Sequence, residues 1–205
     1  MLLAIDTSAG TAVAIVADDG RVLAERSTAD IRRHAEVIGP FLAEVLEEAG
    51  VHRAELTGVV AGIGPGPYTG LRVGIAAARG VAFARGIPLL PVPSHDAVAL
   101  ALVEGGVVAG RFAVVTDARR REVAVTVYSA ALPLPTVITP AYLVPRIEWA
   151  PALGETAHEV LEIAAGPLAH VALARRAAGI DFATPQPLYL RAPDVTLSAP
   201  KRVTG

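Results

Sequence analysis

The stretch GIGPGPYTGLRVG, residues 62–74, decides how this chain of 205 residues folds. It follows a short apolar run, residues 59–61, which predicts a buried strand. Alternating glycine and proline then predict a tight loop, because glycine permits positive φ whereas proline fixes φ and removes a donor. Residues 69–85 have a helical pattern that Gly86 ends. The sequence therefore predicts a strand, a glycine-rich loop and a helix in succession.

This succession can bind phosphate at the N-terminus of the helix. A Walker loop, however, needs a lysine after its last glycine, and Leu71 occupies that position. The dinucleotide fingerprint G-x-G-x-x-G fits Gly64 and Gly66, but its third glycine is displaced to Gly70. The match is imperfect, and binding of a nucleotide phosphate stays an open alternative for this loop.

Small residues of the predicted helix gather on one side. Such a stripe lets a second helix approach closely, and glycine within a helix suggests a packing reason because it costs about 0.5–1 kcal/mol relative to alanine. Two interpretations remain: the helix packs on its own sheet, or it forms an interface with another subunit. The second interpretation predicts an interface that comprises Gly70, Arg72, Gly74, Ala77, Ala78 and Val81.

Several motifs together resemble the TsaB family, formerly called YeaZ. Those motifs are GPGPYTGLRVG (64–74), LAIDTS (3–8), TDAR (116–119) and PLYLR (187–191). TsaB proteins are subunits of the bacterial machinery that makes threonylcarbamoyladenosine in tRNA. The resemblance covers nearly the whole chain.

The resemblance implies a non-catalytic scaffold or dimerisation subunit. Such a subunit binds and activates the catalytic relative TsaD for threonylcarbamoyl transfer to the tRNA adenosine next to the anticodon. The ATPase TsaE joins the larger complex, and the subunit contacts tRNA only through that complex. The isolated subunit can form a homodimer through the surface that binds TsaD. No cofactor is required, although weak ATP or ADP binding at the subunit junction is an expectation.

An internal repeat predicts two lobes. An apolar strand ends at Asp6 and an alternating strand resumes at residues 11–16; a second apolar strand ends at Asp117 and is followed by residues 122–127. We expect an α/β, two-lobed actin-like (ASKHA, ribonuclease H-like) duplicated fold with mixed sheets and flanking helices. The lobes are residues 1–104, which carry the partner-binding helices, and the smaller 105–205. Family members return a C-terminal segment to the first lobe, and this chain looks trimmed there.

The two aspartates are the main candidates for chemistry. In active members of the actin-like superfamily, the residues at the positions of Asp6 and Asp117 bind Mg-nucleotide. The alternative function is therefore a small-molecule kinase or ATPase that uses these two residues. We expect them mainly to brace their turns, because no glycine-rich turn follows Asp6 and an arginine run, residues 119–121, follows Asp117.

Other elements follow from periodicity and from capping residues. Helices are predicted over 34–48 (with Pro40 as a kink or restart), from Ser94 as N-cap to 103, over 156–163, and over 168–178. Residues 133–151 are predicted to hold edge strands and loops, and 193–205 show no period.

Composition narrows the function further. The chain has no cysteine, which favours the cytoplasm, and no membrane span or signal peptide is expected. A net charge of −2 and few aromatic residues disfavour an autonomous RNA-binding module. The histidines are scattered, without the paired spacing of a metal site. Neighbouring Ser94, His95 and Asp96 point in different directions on a helix, so a hydrolytic triad or peptidase ranks last.

Overall fold

The computed structural model describes residues 1–153 and 156–191, and the predicted tail over 193–205 lies outside this part. The described strands are Leu2–Asp6 (β1), Thr11–Val16 (β2), Val22–Thr28 (β3), Gly58–Gly62 (β4), Leu89–Val92 (β5), Arg111–Asp117 (β6), Glu122–Ser129 (β7), Thr136–Pro145 (β8) and Ala157–Glu159 (β9). The described helices are His34–Ala49 (α1), Tyr68–Arg85 (α2), Ser94–Glu104 (α3), Arg146–Leu153 (α4) and Ala165–Ala178 (α5).

The strands form two mixed sheets that repeat one layout. Their orders are β3-β2-β1-β4-β5 and β8-β7-β6-β9. In each sheet the central strand, β1 or β6, pairs antiparallel with the next strand and parallel with a later one. Asp6 lies opposite Ala12 and Asp117 lies opposite Val123, so both hairpins have the same register. The predicted duplicated two-lobed α/β fold is confirmed.

Alternating side chains on the first sheet supply two hydrophobic cores. Leu3, Ile5, Val13 and Ile15 point toward α1 and α2. The opposite face packs with α3 and α5, and this core continues to Phe112, Val114 and Tyr128 of the second sheet. The outer face of the second sheet packs with Trp149 of α4. The order of layers is therefore α1/α2, first sheet, α3/α5, second sheet, α4.

Helix α5 belongs by sequence to the predicted second lobe, residues 105–205, but it packs on the first lobe. It follows β9 of the second sheet, yet it packs against β1, β2 and β4 of the first. Leu168, Ala169 and Ala172 of this helix are buried there. The helices α3 and α5 are thus shared between the lobes, while the division into domains at this boundary stays a prediction.

One local prediction is wrong and a second is incomplete. The helix predicted over 156–163 is wrong: Ala157–Glu159 is a strand, because these residues pair in parallel with β6. Residues 133–151 contain the predicted edge strand, β8, but also the unpredicted helix α4. Helix α1 continues through Pro40. Within the described part of the chain, no helix is long and apolar enough to cross a bilayer.

Candidate functional site

The Asp6 carboxylate lies at the buried end of β1 and uses both oxygens within the chain. Its side chain is 1% exposed. Oδ1 accepts hydrogen bonds from the Ser8 amide at 2.8 Å and the Ser8 hydroxyl at 2.5 Å, and Oδ2 accepts one from the Ser94 hydroxyl at 2.5 Å. Burial raises the pKa of the Asp6 carboxyl, and the hydrogen bonds from Ser8 and Ser94 oppose that rise. Asp6 therefore joins β1 to the start of α3.

Ser94 is the residue that connects this carboxylate to the glycine loop. Its hydroxyl accepts a hydrogen bond from the Gly64 amide at 3.0 Å, while its own amide donates to the Gly64 carbonyl at 2.7 Å. The predicted N-cap role of Ser94 is wrong, since it is the first residue of α3 and its side chain makes no capping bond. The need to satisfy Asp6 and the glycine loop determines its orientation instead.

The glycine stripe of α2 faces the turn after β1. A Cβ at Gly70 would lie 2.7 Å from the Thr7 carbonyl oxygen and 2.9 Å from His34 Nε2, and a Cβ at Gly74 would overlap Thr7 Oγ1. The Thr7 hydroxyl donates to the Gly70 carbonyl at 2.7 Å. Ala78 is also buried, in the core beneath the first sheet. Gly70, Gly74 and Ala78 therefore pack within the chain itself, and their interface role stays a prediction.

The remaining predicted interface residues are accessible to different degrees. Ala77 and Val81 are half-buried beside the same core, and Arg72 is exposed. Arg72 already has partners: Nε donates to Tyr189 Oη at 2.7 Å, and the guanidinium carbon lies 3.8 Å from the centre of the Tyr68 ring. For Arg72, Ala77 and Val81 the interface role stays a prediction.

The outer face of α2 carries two exposed arginines, Arg72 and Arg79, together with small residues and one large apolar side chain. Phe83 is 92% exposed. Ala76 and Gly80 are exposed on the same side, and a Cβ at Gly80 would meet nothing within 4 Å. The sequence signal for this face was the position of Phe83 opposite the glycine stripe. The stripe alone could not identify it, since periodicity defines the faces of a helix but not what covers each one.

Asp117 is placed like Asp6 but lies in a different environment. Its side chain is 48% exposed, and it forms an ion pair with Arg146 at 2.9 Å. Arg119 approaches it at 3.9 Å, and Arg146 also pairs with Glu159 at 2.8 Å. The carboxylate is therefore neutralised by arginines at the surface.

A cleft of about 340 Å³ lies between the start of α2 and the turn after β6, within the size range of small-molecule sites. Asp117 lines this cleft and Asp6 does not. The two predicted nucleotide contacts are thus not brought together around one opening. The other lining residues are Pro65, Gly66, Pro67, Tyr68, Ala118, Arg119, Arg120, Ala124, Leu143, Tyr189, Leu190 and Arg191.

His95 joins the lobes instead of forming a catalytic group with its neighbours. Its ring nitrogens lie 2.8 Å from the hydroxyls of Thr126 and Thr116 on the second sheet. Burial lowers the pKa of His95 to about 3, so the ring is neutral. Asp96 instead accepts hydrogen bonds from Tyr128 at 2.8 Å and Arg175 at 3.0 Å. Residues 1–153 and 156–191 contain no group of three or more histidine, aspartate or glutamate side chains arranged to hold a metal ion.

Relatives of known sequence match part of the chain. The family model described as TsaD, tRNA N6-adenosine threonylcarbamoyltransferase, matches residues 21–141. An uncharacterized protein of Mycobacterium tuberculosis is 48% identical over 124 residues, which are 60% of this chain and 56% of that protein. The tRNA N6-adenosine threonylcarbamoyltransferase of Streptococcus pneumoniae is 36% identical over 107 residues, 44% of this chain and 32% of that enzyme. The chain thus spans about half or less of these relatives.

Solved structures match almost the whole chain. YeaZ from Pseudomonas aeruginosa has a TM-score of 0.77 and 25% identity, and the match covers 92% of this chain and 99% of that one. A second structure, an uncharacterized protein with similarity to peptidase YeaZ from Pseudomonas aeruginosa, has a TM-score of 0.78 and 26% identity, with coverages of 93% and 99%.

Proposed function

This chain belongs to the tRNA N6-adenosine threonylcarbamoyltransferase (TsaD) family and is similar to its YeaZ (TsaB) members, so we propose that it is a non-catalytic subunit that binds and activates TsaD. The complex would transfer the threonylcarbamoyl group to the tRNA adenosine next to the anticodon. TsaE would join the larger complex, and this chain would contact tRNA only as part of that complex.

The state of the two aspartates supports a role without catalysis. Asp6 is fully hydrogen-bonded by Ser8 and Ser94, and Asp117 is paired with Arg146. A carboxylate that binds a metal or abstracts a proton must keep an oxygen available to the ligand. Both oxygens of Asp6 already accept a hydrogen bond, and the residue is buried from solvent. The kinase or ATPase alternative would have to break these contacts first.

The observation that carries the proposal is the outer face of α2. Exposed Phe83 stands beside Ala76 and Gly80, and these small residues let a second helix approach closely while Phe83 inserts into it. Phe41 and Leu42 of α1, which contacts α2, are half-buried against the core shared by the two helices. We assign the partner surface to this face, with TsaD as its occupant and a second copy of this chain when TsaD is missing.

Reconstitution tests the function directly. Purified TsaD, TsaE and the synthase that supplies threonylcarbamoyl-adenylate are incubated with tRNA, with and without this chain. Modified adenosine is expected to accumulate only, or many times faster, when the chain is present. Equal rates in both reactions would contradict the proposal.

Nucleotide binding separates this proposal from its rival. The proposal includes weak ATP or ADP binding at the junction with TsaD. Titration of Mg-ATP into the isolated chain is then expected to give no tight binding and no phosphate release. Tight binding with turnover by the isolated chain would instead favour a kinase or ATPase that uses Asp6 and Asp117.

A further inference from the structure

Three consecutive residues adopt the left-handed conformation in the turn between β6 and β7. The φ angles of Arg119, Arg120 and Arg121 are 66°, 53° and 62°. Residues other than glycine rarely enter this region, and runs of them persist only where the surroundings impose the conformation. The cause must therefore be sought in contacts made from outside the turn.

One such contact comes from Arg191, far along the chain. Its Nη1 donates to the carbonyl of Ala118 at 3.2 Å and its Nη2 to that of Arg119 at 3.4 Å. The same guanidinium forms a close ion pair with Glu122. A planar guanidinium holds several acceptors in a fixed arrangement. Arg191 therefore holds both ends of the left-handed run.

Arg191 ends a segment, residues 182–191, that is fastened to the first lobe; we call it the strap. The Leu188 amide donates to the Ile63 carbonyl at 2.7 Å, directly after β4. Tyr189 stacks on Tyr68 with ring centres 4.7 Å apart, and its hydroxyl accepts from Arg72. A second arginine of α2, Arg79, donates to the Pro185 carbonyl. The strap thus connects α2 to the turn after β6.

We propose that the strap is a latch that keeps the turn between β6 and β7 left-handed through Arg191, and so makes the conformation of this turn depend on α2. Arg119 and Arg120 line the cleft between the lobes, so release of the strap changes the charged wall of that cleft. A partner that draws Arg72 or Arg79 away from the strap would release the turn as well. The inference concerns the isolated chain and does not depend on the proposed function.

Amide hydrogen exchange on the isolated full chain tests the latch. The reporters are the amides of Ala118 and Glu122, which are hydrogen-bonded within the turn at 3.0 Å. Arg191→Ala is expected to speed their exchange at least tenfold by removing the direct contact. Arg72→Ala is expected to speed the same amides as well, because it removes the hydrogen bond that holds Tyr189 of the strap on α2.

The controls separate a latch from a local effect. Arg32→Ala removes an exposed arginine that pairs with neighbouring Asp30, and it is expected to leave both reporters unchanged. Faster exchange in Arg191→Ala but not in Arg72→Ala would overturn the coupling to α2, and no change in either would overturn the latch. If Arg72→Ala slows folding or lowers the stability of the whole chain, Tyr189→Phe replaces it, because this variant removes only the hydroxyl that accepts from Arg72. Faster exchange of the Ala118 and Glu122 amides is then expected in Tyr189→Phe.

Discussion

The turns after β1 and β6 hold equivalent positions in the two sheets but are stabilised by different means. At the first turn a buried carboxylate is satisfied by hydroxyls and an amide, and α2 packs against the turn through its glycines. At the second turn an exposed carboxylate pairs with Arg146, and the backbone is left-handed over three arginines. Repetition of a strand layout therefore preserves register without preserving the environment of the aspartate.

Removal of each aspartate gives the largest contrast between the turns. Asp6→Ala leaves the Ser8 amide and the hydroxyls of Ser8 and Ser94 without their acceptor, and we expect a loss of about 3–5 kcal/mol in the free energy of unfolding. Asp117→Ala breaks a surface ion pair and should cost less than about 1 kcal/mol. Chemical denaturation of both variants measures the difference, and equal losses would show that the turns are alike.

Alanine at two glycines of α2 tests how closely the first turn is packed. Gly74→Ala places a methyl group against Thr7, so we expect a loss of about 2 kcal/mol or more. Gly80→Ala projects into open space and should gain about 0.5–1 kcal/mol from helix propensity. Thermal unfolding measures both changes. A stabilised Gly74→Ala variant would mean that α2 does not contact the turn as the structure has it.

Acid titration probes the junction at which α3 of the first lobe meets the second sheet. The pKa of His95 is about 3 in the folded chain and near 6.5 when unfolded, so the unfolded chain binds the proton more readily. Folding stability is expected to fall as the pH drops below about 6.5, by about 1.4 kcal/mol per pH unit until pH 3 is approached. His95→Gln should remove this component. Chemical denaturation of the unaltered chain and of His95→Gln between pH 7 and 4.5 measures how the free energy of unfolding depends on pH. The same dependence in both proteins would refute this role of His95.

Relief of backbone strain at the second turn should have the smallest effect. Arg121→Gly allows the left-handed conformation without a Cβ penalty, and Arg121→Ala removes the same side chain but keeps that penalty. We expect the glycine variant to be more stable than the alanine variant by about 1 kcal/mol. If alanine proves equal or better in equilibrium unfolding, the turn is not left-handed in solution.

Patterns within a short window predicted much of this molecule. The two strands that end in aspartate, each followed five positions later by an alternating strand, predicted both sheets. The three-residue strand β9 has no such pattern, since its pairing with β6 decides its conformation. The arginine run gave no sign of its left-handed backbone, because part of what holds it is Arg191, about 70 residues further along the chain.

The candidate site shows the same limit. The glycine stripe correctly indicated close packing, but the sequence could not say whether the neighbour was the turn at Thr7 or another subunit. The burial of Gly70 and Gly74 against that turn transfers the proposed surface to the opposite side of α2, where Gly80 and Phe83 lie. A helix pattern defines two faces, and only tertiary structure shows which one is left open.

The affinity of this chain for TsaD, measured for one pair of matched variants, tests the central claim most directly. Gly80→Arg fills the open face of α2 without disturbing the folded chain, whereas Ile147→Asp changes a residue of the second lobe that is 86% exposed. The account predicts that Gly80→Arg weakens binding at least ~30-fold and that Ile147→Asp binds like the unaltered chain. Unchanged affinity in a folded Gly80→Arg variant would contradict it.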